Sequence, residues 1–279
     1  MHCGNTRNRP VVSRTDTWKL DITGRVAHPL SLSLPSLKSF PKFEAPIAIF
    51  CKRNSVRLPR MRQAVWTGVS LGSLLTQAQI DSEVLSVRAI AADGYETVLP
   101  LDLAQEGILA YAVDGEDLSL NEGFPLRLVI PGIYSHRMPR WIRKIELSQL
   151  PVIDTSSIVD EVQTTSHIVA PHHMQSLQND VRFSGVAYAG RRSITRVELS
   201  IDDADWMPAS LARAPRGSWT EWEINWRPSV PGDYAVKVRA TDSDGCTQTD
   251  LPSPTGNSLS SGIHSIVIRV LPPLEGVNS

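Results

Sequence analysis

Val181-Arg182-Phe183-Ser184-Gly185-Val186-Ala187 opens by alternating apolar and polar side chains, the period-two pattern of a half-buried β-strand. Working outward, the same texture returns at residues 194–201, 219–226, 234–240 and 264–270. Asp, Gly and Pro turns separate these runs, and no helical stretch interrupts them. Regular short strands of this kind predict an antiparallel β-sandwich of about 100 residues. Upstream, residues 147–166 are polar, lack a clear period and include Pro151, which places a domain boundary there. The expected division is a first domain over 1–150, a linker over 151–165 and the sandwich over 166–279.

The first half reads differently. Strand-like runs at 18–22, 47–50, 84–90 and 126–130 precede turn signals, with a further strand-like stretch at 96–99. Residues 70–79 have helical spacing through Leu71, Leu74, Leu75 and Ala78; so do residues 100–104, and residues 102–112 suggest a short helix. The expected fold class is α+β: a mixed α/β domain followed by the antiparallel sandwich. A length of 279 residues suits two domains.

Composition excludes several classes. Hydrophobic residues make up 41% and charged residues 20%, with 17 Gly and 20 Pro, an ordinary globular balance that rules out collagen-like and wholly disordered chains. Net charge is -1, yet residues 1–150 carry +4 and residues 151–279 carry -5. That asymmetry is too mild for a nucleic-acid arm. Five bases nevertheless fall between Lys52 and Arg62, which suits either an anionic ligand or a solvated basic loop. The three cysteines show no CxxC or zinc spacing, so no disulfide framework is expected. No apolar run reaches the roughly 18 residues of a bilayer span, and residues 1–9 lack the apolar core of a signal peptide. A soluble chain is expected, cytoplasmic by default and periplasmic if residues upstream of Met1 are missing.

Individual residues carry chemistry of their own. Cys51 follows an apolar strand and precedes Lys52 and Arg53, an environment that lowers a thiol pKa and favours the thiolate a soft metal needs. The plainer reading of a lone cysteine there is a buried apolar filler. Arg127 lies on an alternating strand, where it faces either solvent or an anion. His136 is a loop histidine beside Arg137. His167, His172 and His173 have no metal spacing and read as part of a polar linker. Trp141, Trp206, Trp219, Trp222 and Trp226 read as core and interface anchors.

Several motifs occur in one order. They are Trp66-Thr67-Gly68-Val69-Ser70-Leu71, Asp93-Gly94-Tyr95, and Gly123-Phe124-Pro125-Leu126-Arg127-Leu128-Val129-Ile130-Pro131-Gly132 closing with Arg140-Trp141-Ile142. Upstream stand Arg7-Asn8, Trp18-Lys19-Leu20 and Phe40-Pro41, and downstream Gly185-Val186-Ala187-Tyr188 through Arg239-Ala240-Thr241-Asp242. Together they resemble the sulfite oxidase family of molybdopterin enzymes over nearly the whole chain. The resemblance implies a molybdopterin domain followed by an immunoglobulin-like dimerisation domain, hence a homodimer with residues 206–226 near the shared surface. It implies a molybdenum–molybdopterin cofactor (Moco) ligated by Cys51. Arg7 and Arg57 are implied at the substrate oxyanion, and Arg127, Arg137, Arg140, Asn8 and His136 at the pterin. The implied reaction is oxygen-atom transfer to or from a small oxyanion such as sulfite. Electrons then leave to a separate acceptor such as a cytochrome, since no haem-binding motif is evident, and no nucleic acid or membrane span enters.

The chain departs from the family at named places. Cys51-Lys52-Arg53-Asn54-Ser55-Val56-Arg57 puts valine where the family has its second substrate-facing arginine, leaving Arg57 one residue late. Arg9 and Glu122 stand at family histidine positions, and Ser135 replaces a glycine. A carboxylate beside a phosphate is unfavourable unless an arginine neutralises it. These departures motivate an alternative: a catalytically degenerate relative that keeps the scaffold as a dimeric interaction protein.

Overall fold

The computed structural model describes residues 17–51, 61–152, 161–249 and 262–272. Arg7, Asn8 and Arg57 lie outside them. The described chain is mostly β-sheet with few helices, and it divides into two units, one ending at Glu161 and the other beginning at Val162.

The first unit holds strands β1 (Lys19–Gly24), β2 (Leu30–Ser33), β3 (Phe43–Phe50), β4 (Met61–Ser70), β5 (Ser86–Ala91), β6 (Glu96–Pro100), β7 (Ile108–Val113), β8 (Glu116–Asp117), β9 (Arg127–Val129) and β10 (Ile142–Ser148). One sheet runs β2-β1-β10-β5-β6, antiparallel except for the parallel pair β1/β10. The other runs β3-β4-β7-β8, with β9 also paired to β7. The core gathers Leu20, Ile22, Trp66, Leu74, Val87, Leu109, Leu128 and Ile145.

Helices are short: α1 (Leu34–Lys38), α2 (Leu71–Gln77) and α3 (Leu101–Gln105). The α2 helix begins where the Ser70 hydroxyl accepts from the Ser73 amide, and it buries Leu71, Leu74 and Leu75, the apolar spacing visible in sequence. The helix expected over 102–112 is corrected. It stops at Gln105, and the following Ile-Leu-Ala-Tyr-Ala-Val becomes β7, whose residues are all buried except half-buried Tyr111. A strand bonded to β4 on one side and to β8 and β9 on the other satisfies its backbone while burying both faces, which a two-turn helix there would not do.

The second unit holds β11 (Thr165–Ala170), β12 (Ser176–Leu177), β13 (Val181–Tyr188), β14 (Ile194–Ile201), β15 (Met207–Pro208), β16 (Ser210–Leu211), β17 (Thr220–Trp226), β18 (Gly232–Asp242) and β19 (His264–Val270). Its sheets are β11-β13-β17-β16 and β12-β19-β18-β14-β15. Both contribute to one apolar cluster, with Phe183 and Trp222 from the first and Leu199, Val238 and Ile268 from the second. Gly185 in β13 is required by close approach: a Cβ there would lie 2.0 Å from the His167 carbonyl oxygen and 2.4 Å from the Trp222 ring.

His167 is corrected from a linker residue to a buried member of β11, because β13 and β19 enclose it, whereas His172 and His173 are exposed. Its ring lies 5.2 Å from that of His264, its Nε2 is 3.1 Å from Thr165 Oγ1, and His264 Nδ1 accepts from the Ile168 amide at 3.1 Å. Burial pulls the His264 imidazole below its ordinary value of 6.5. Below that value the unfolded chain binds the proton more readily, so stability is lost as pH falls from 6.5 toward the folded value. Chemical denaturation of the full chain between about pH 7.5 and about pH 5 should show this loss, and His264→Asn, which keeps an acceptor at the Nδ1 position, should flatten it. An unchanged slope in the variant would remove His264 as the cause.

Candidate active site

Strand β3 delivers Cys51. Ile47, Ala48 and Phe50 are buried, Cys51 directly follows, and it is 8% exposed. Phe50 also forms a parallel bridge with Tyr134, which brings the end of β3 beside the segment Tyr134-Ser135-His136-Arg137. Cys51 is disulfide-bonded, contrary to the sequence expectation, while Cys246 is free and exposed. Only a reduced Cys51 presents the thiolate that ligates a metal. Among the described residues no group of three or more His, Cys, Asp and Glu is placed to hold a metal ion.

The second wall is the turn leading into β9. Ser119 and Glu122 cap one another: Glu122 Oε2 accepts from the Ser119 amide at 3.1 Å and its hydroxyl at 2.8 Å, and Ser119 Oγ accepts from the Glu122 amide at 3.3 Å. Gly123 follows with φ +115°, pinned between two arginines; an added Cβ would stand 2.8 Å from Arg140 Cβ and 3.1 Å from Arg127 Cβ. Its carbonyl accepts from the Trp141 amide at 3.3 Å, and the Leu120 carbonyl accepts from the Trp141 indole at 3.0 Å. The 119–126 turn and the segment through Trp141 are thereby laced together. Gly123→Ala combines a left-handed backbone with a side-chain clash and is expected to cost roughly 1–3 kcal/mol in denaturant unfolding. A loss well below that would show that the turn relaxes without strain.

Arg127 is the most consequential side chain of this region. It stacks over Trp66 at 4.8 Å and donates through Nη1 to the Glu122 carbonyl at 3.2 Å, while its buried Nε has no hydrogen-bond partner among the described residues. Burial lowers its pKa to about 9, with Arg140 and Arg62 adding like-charge repulsion and Glu122 opposing it. Arg140 stacks on Trp141 at 5.6 Å and donates to the Asn121 carbonyl at 2.6 Å. Burial lowers its pKa as well, against the pull of Asp93. Solvent exposure, one sequence reading of Arg127, is thus overturned.

Glu122 is neutralised by Arg62, which reaches it at 2.7 Å and Asp114 at 2.9 Å. Burial alone would raise the Glu122 carboxyl, but Arg62 and Ser119 together hold it below its ordinary value. Arg62 had counted in sequence only as one base among five. The signal that could have singled it out is strand parity, since Arg62 and Trp66 sit on one face of β4.

Arg137 donates to the Val98 carbonyl at 2.7 Å, and the His136 carbonyl accepts a short hydrogen bond from Tyr95. The Tyr134 and His136 rings stack at 6.3 Å. Ser135 Oγ is buried with no partner among the described residues. These donors fit a phosphate-bearing cofactor: two desolvated guanidiniums, an orphaned guanidinium N–H and an orphaned hydroxyl, in a segment tied to Cys51. Arg7, Asn8 and Arg57 are outside the described residues.

Residues 7–154 match the family model described as an oxidoreductase molybdopterin binding domain. An NADH nitrate reductase of Phaseolus vulgaris is 26% identical over 312 residues, covering 85% of this chain and 35% of that protein. The uncharacterized oxidoreductase YuiH of Bacillus subtilis is 35% identical over 151 residues, 53% of this chain and 73% of that one. Mitochondrial sulfite oxidase of Mus musculus is 26% identical over 332 residues, 96% of this chain and 60% of that one. The chain therefore spans about a third of the nitrate reductase and three-fifths of the sulfite oxidase. Among solved structures, the sulfane dehydrogenase SoxCD from Paracoccus pantotrophus shares the fold, with a TM-score of 0.80 at 21% identity over 93% of this chain and 79% of that one.

Proposed function

Because this chain belongs to the molybdopterin-binding oxidoreductase family, with a molybdenum–molybdopterin cofactor, we propose that it moves an oxygen atom to or from a small oxyanion such as sulfite and passes the electrons to a separate acceptor such as a cytochrome. The observation that carries this reading is the fully buried, incompletely bonded Arg127 beside Arg140, cations whose desolvation is offset when an anionic cofactor group binds.

When bound, the cofactor supplies the two-electron oxygen-atom chemistry. The chain's part is position and field. Arg127 and Arg140 hold the pterin phosphate, and Ser135 Oγ and Arg137 add donors from the neighbouring segment, with His136 as a further contact. Trp66 covers Arg127 and excludes water from it, which strengthens its attraction for the phosphate. The Arg62–Glu122 pair keeps a carboxylate near this wall from repelling the phosphate. Reduced Cys51 offers one thiolate to the metal. Arg7 and Arg57 orient the substrate oxyanion by fork-shaped donation, and Asn8 joins the cofactor side.

The second unit is proposed as an immunoglobulin-like dimerisation domain, with the 206–226 region near a self-complementary surface. Sedimentation that shows only monomer at micromolar concentration would remove that part. No helix of the described residues is long and apolar enough to cross a membrane. The deciding experiment is molybdenum analysis of chain expressed in a host that makes the cofactor and purified under reducing conditions, followed by a screen of sulfite, other sulfur oxyanions, nitrate and S-oxides. Metal near one per chain with turnover of one such compound supports the proposal. A second reading, a degenerate scaffold, is favoured by Val56 in the substrate segment, and reduced protein without metal would establish it.

A further inference from the structure

Four consecutive carbonyls of the 119–126 turn each accept a hydrogen bond from the arginine wall. The Leu120 carbonyl accepts from the Trp141 indole at 3.0 Å, Asn121 from the Arg140 guanidinium at 2.6 Å, Glu122 from the Arg127 guanidinium at 3.2 Å and Gly123 from the Trp141 amide at 3.3 Å. Trp141 thus supplies two of these four donors without itself carrying a charge. It is buried, and its φ of +55° is a left-handed conformation that a bulky side chain rarely adopts. In extended chain, neighbouring side chains point to opposite faces, yet the Arg140 guanidinium lies over the Trp141 ring at 5.6 Å. The left-handed step turns the indole under its neighbour, immediately before β10 begins at Ile142. Such a conformation persists only where the surroundings over-determine it. Here the amide and the indole are bonded to the turn, and the Trp141 carbonyl accepts from the Ala92 amide at 2.8 Å.

The wall needs such a restraint. Gly123 is so closely packed that a Cβ there would stand 2.8 Å from Arg140 Cβ and 3.1 Å from Arg127 Cβ, and the two guanidiniums repel one another. Long side chains of like charge splay apart when nothing holds them, and an arriving anion must then bring them back at the cost of ordering both. The indole face on one side and the Asn121 carbonyl at Nη1 hold the Arg140 guanidinium, while the Glu122 carbonyl and the Trp66 ring hold that of Arg127. A pair of cations already in place loses less freedom when an anion binds.

We propose that Trp141 is a positioning residue for the pterin phosphate, acting through Arg140 without touching the phosphate itself. The proposal rests on the assignment of Arg140 to that phosphate. Full-length chain and variants are expressed in a host that makes the cofactor and dialysed in reductant, and pterin per chain is read by fluorescence after denaturation. R140Q should lower retention by about tenfold or more, the scale of a charge-assisted hydrogen bond. W141L, which removes ring and indole donor but keeps an apolar filler, should lower it by about fivefold or more, the scale of a desolvated cation–π contact. The double variant R140Q/W141L should retain as much as R140Q alone, because the indole then has no guanidinium to place, whereas a merely structural tryptophan would multiply the two losses. W141F keeps an aromatic face under Arg140 and should lose less than W141L. If circular dichroism shows that W141L folds poorly, R140Q/W141F completes the same cycle. Parent-like retention in folded W141L, or losses that multiply in the double variant, would overturn the proposal alone. A parent without pterin, or an R140Q that retains it fully, would overturn the assignment of Arg140 and the proposal with it.

Discussion

Cys51→Ser is expected to abolish molybdenum-dependent turnover while leaving the fold in place. A serine hydroxyl stays protonated at neutral pH and is a hard donor, so it cannot replace a thiolate toward a soft metal. Substitutions that only touch a metal's outer partners already cost about 10- to 100-fold, so loss of the ligand itself should exceed about a hundredfold in kcat/KM. The volume change is small, and the residue lies just past the register of β3, whose last pair is Phe50 with Met61, so the sheet has no reason to move. Parent and variant must be compared in reductant, because the parent's Cys51 is otherwise disulfide-bonded and a disulfide typically contributes about 2–4 kcal/mol. The readouts are metal per chain and turnover, with near-ultraviolet circular dichroism as the fold control. Equal metal and turnover in the reduced variant would take Cys51 off the metal.

Arg127→Met should separate stability from cofactor retention by moving them in opposite directions. Without an anion, Arg127 is a buried cation whose pKa falls to about 9 and whose Nε lacks a partner among the described residues. Methionine keeps contact with Trp66 and carries no charge to desolvate. Replacing poorly compensated buried charge by apolar side chains often stabilises by about 1–4 kcal/mol, so the cofactor-free variant should melt higher than the cofactor-free parent. The loaded form should show the reverse. A charge-assisted contact to a buried phosphate is lost, and cofactor retention through dialysis should fall by about tenfold or more. A variant that is less stable without cofactor and equally retentive with it would make Arg127 a structural residue only.

The β-rich second unit was legible in the chain because alternation with a period of two is a local property. Strands β14 and β19 stand at the residues where the pattern placed them, β13 and β17 lie within one residue of it and β18 runs two residues further at each end, whereas β11 and the two-residue strands β12, β15 and β16 were not visible as alternation. Strand β7 was illegible for the complementary reason. A run buried on both faces has no alternation, so periodicity cannot separate it from a helix, and its state was decided by β4, β8 and β9 competing for its backbone. The site divides in the same way. Residue type alone left Cys51 open between metal ligand and apolar filler and Arg127 between solvent and an anion; the resemblance of the ordered motifs to the sulfite oxidase family is what singled out Cys51, Arg127, Arg137 and Arg140. Sequence alone therefore determined the donor chemistry available and the strand texture that carries it. The tertiary structure alone decided that Arg127 is buried against Trp66, that Arg62 neutralises Glu122 across 60 residues of chain, and that Phe50 brings Cys51 beside Tyr134. Desolvation, like-charge repulsion and ion pairing depend on distances in space, and separation along the chain does not encode them.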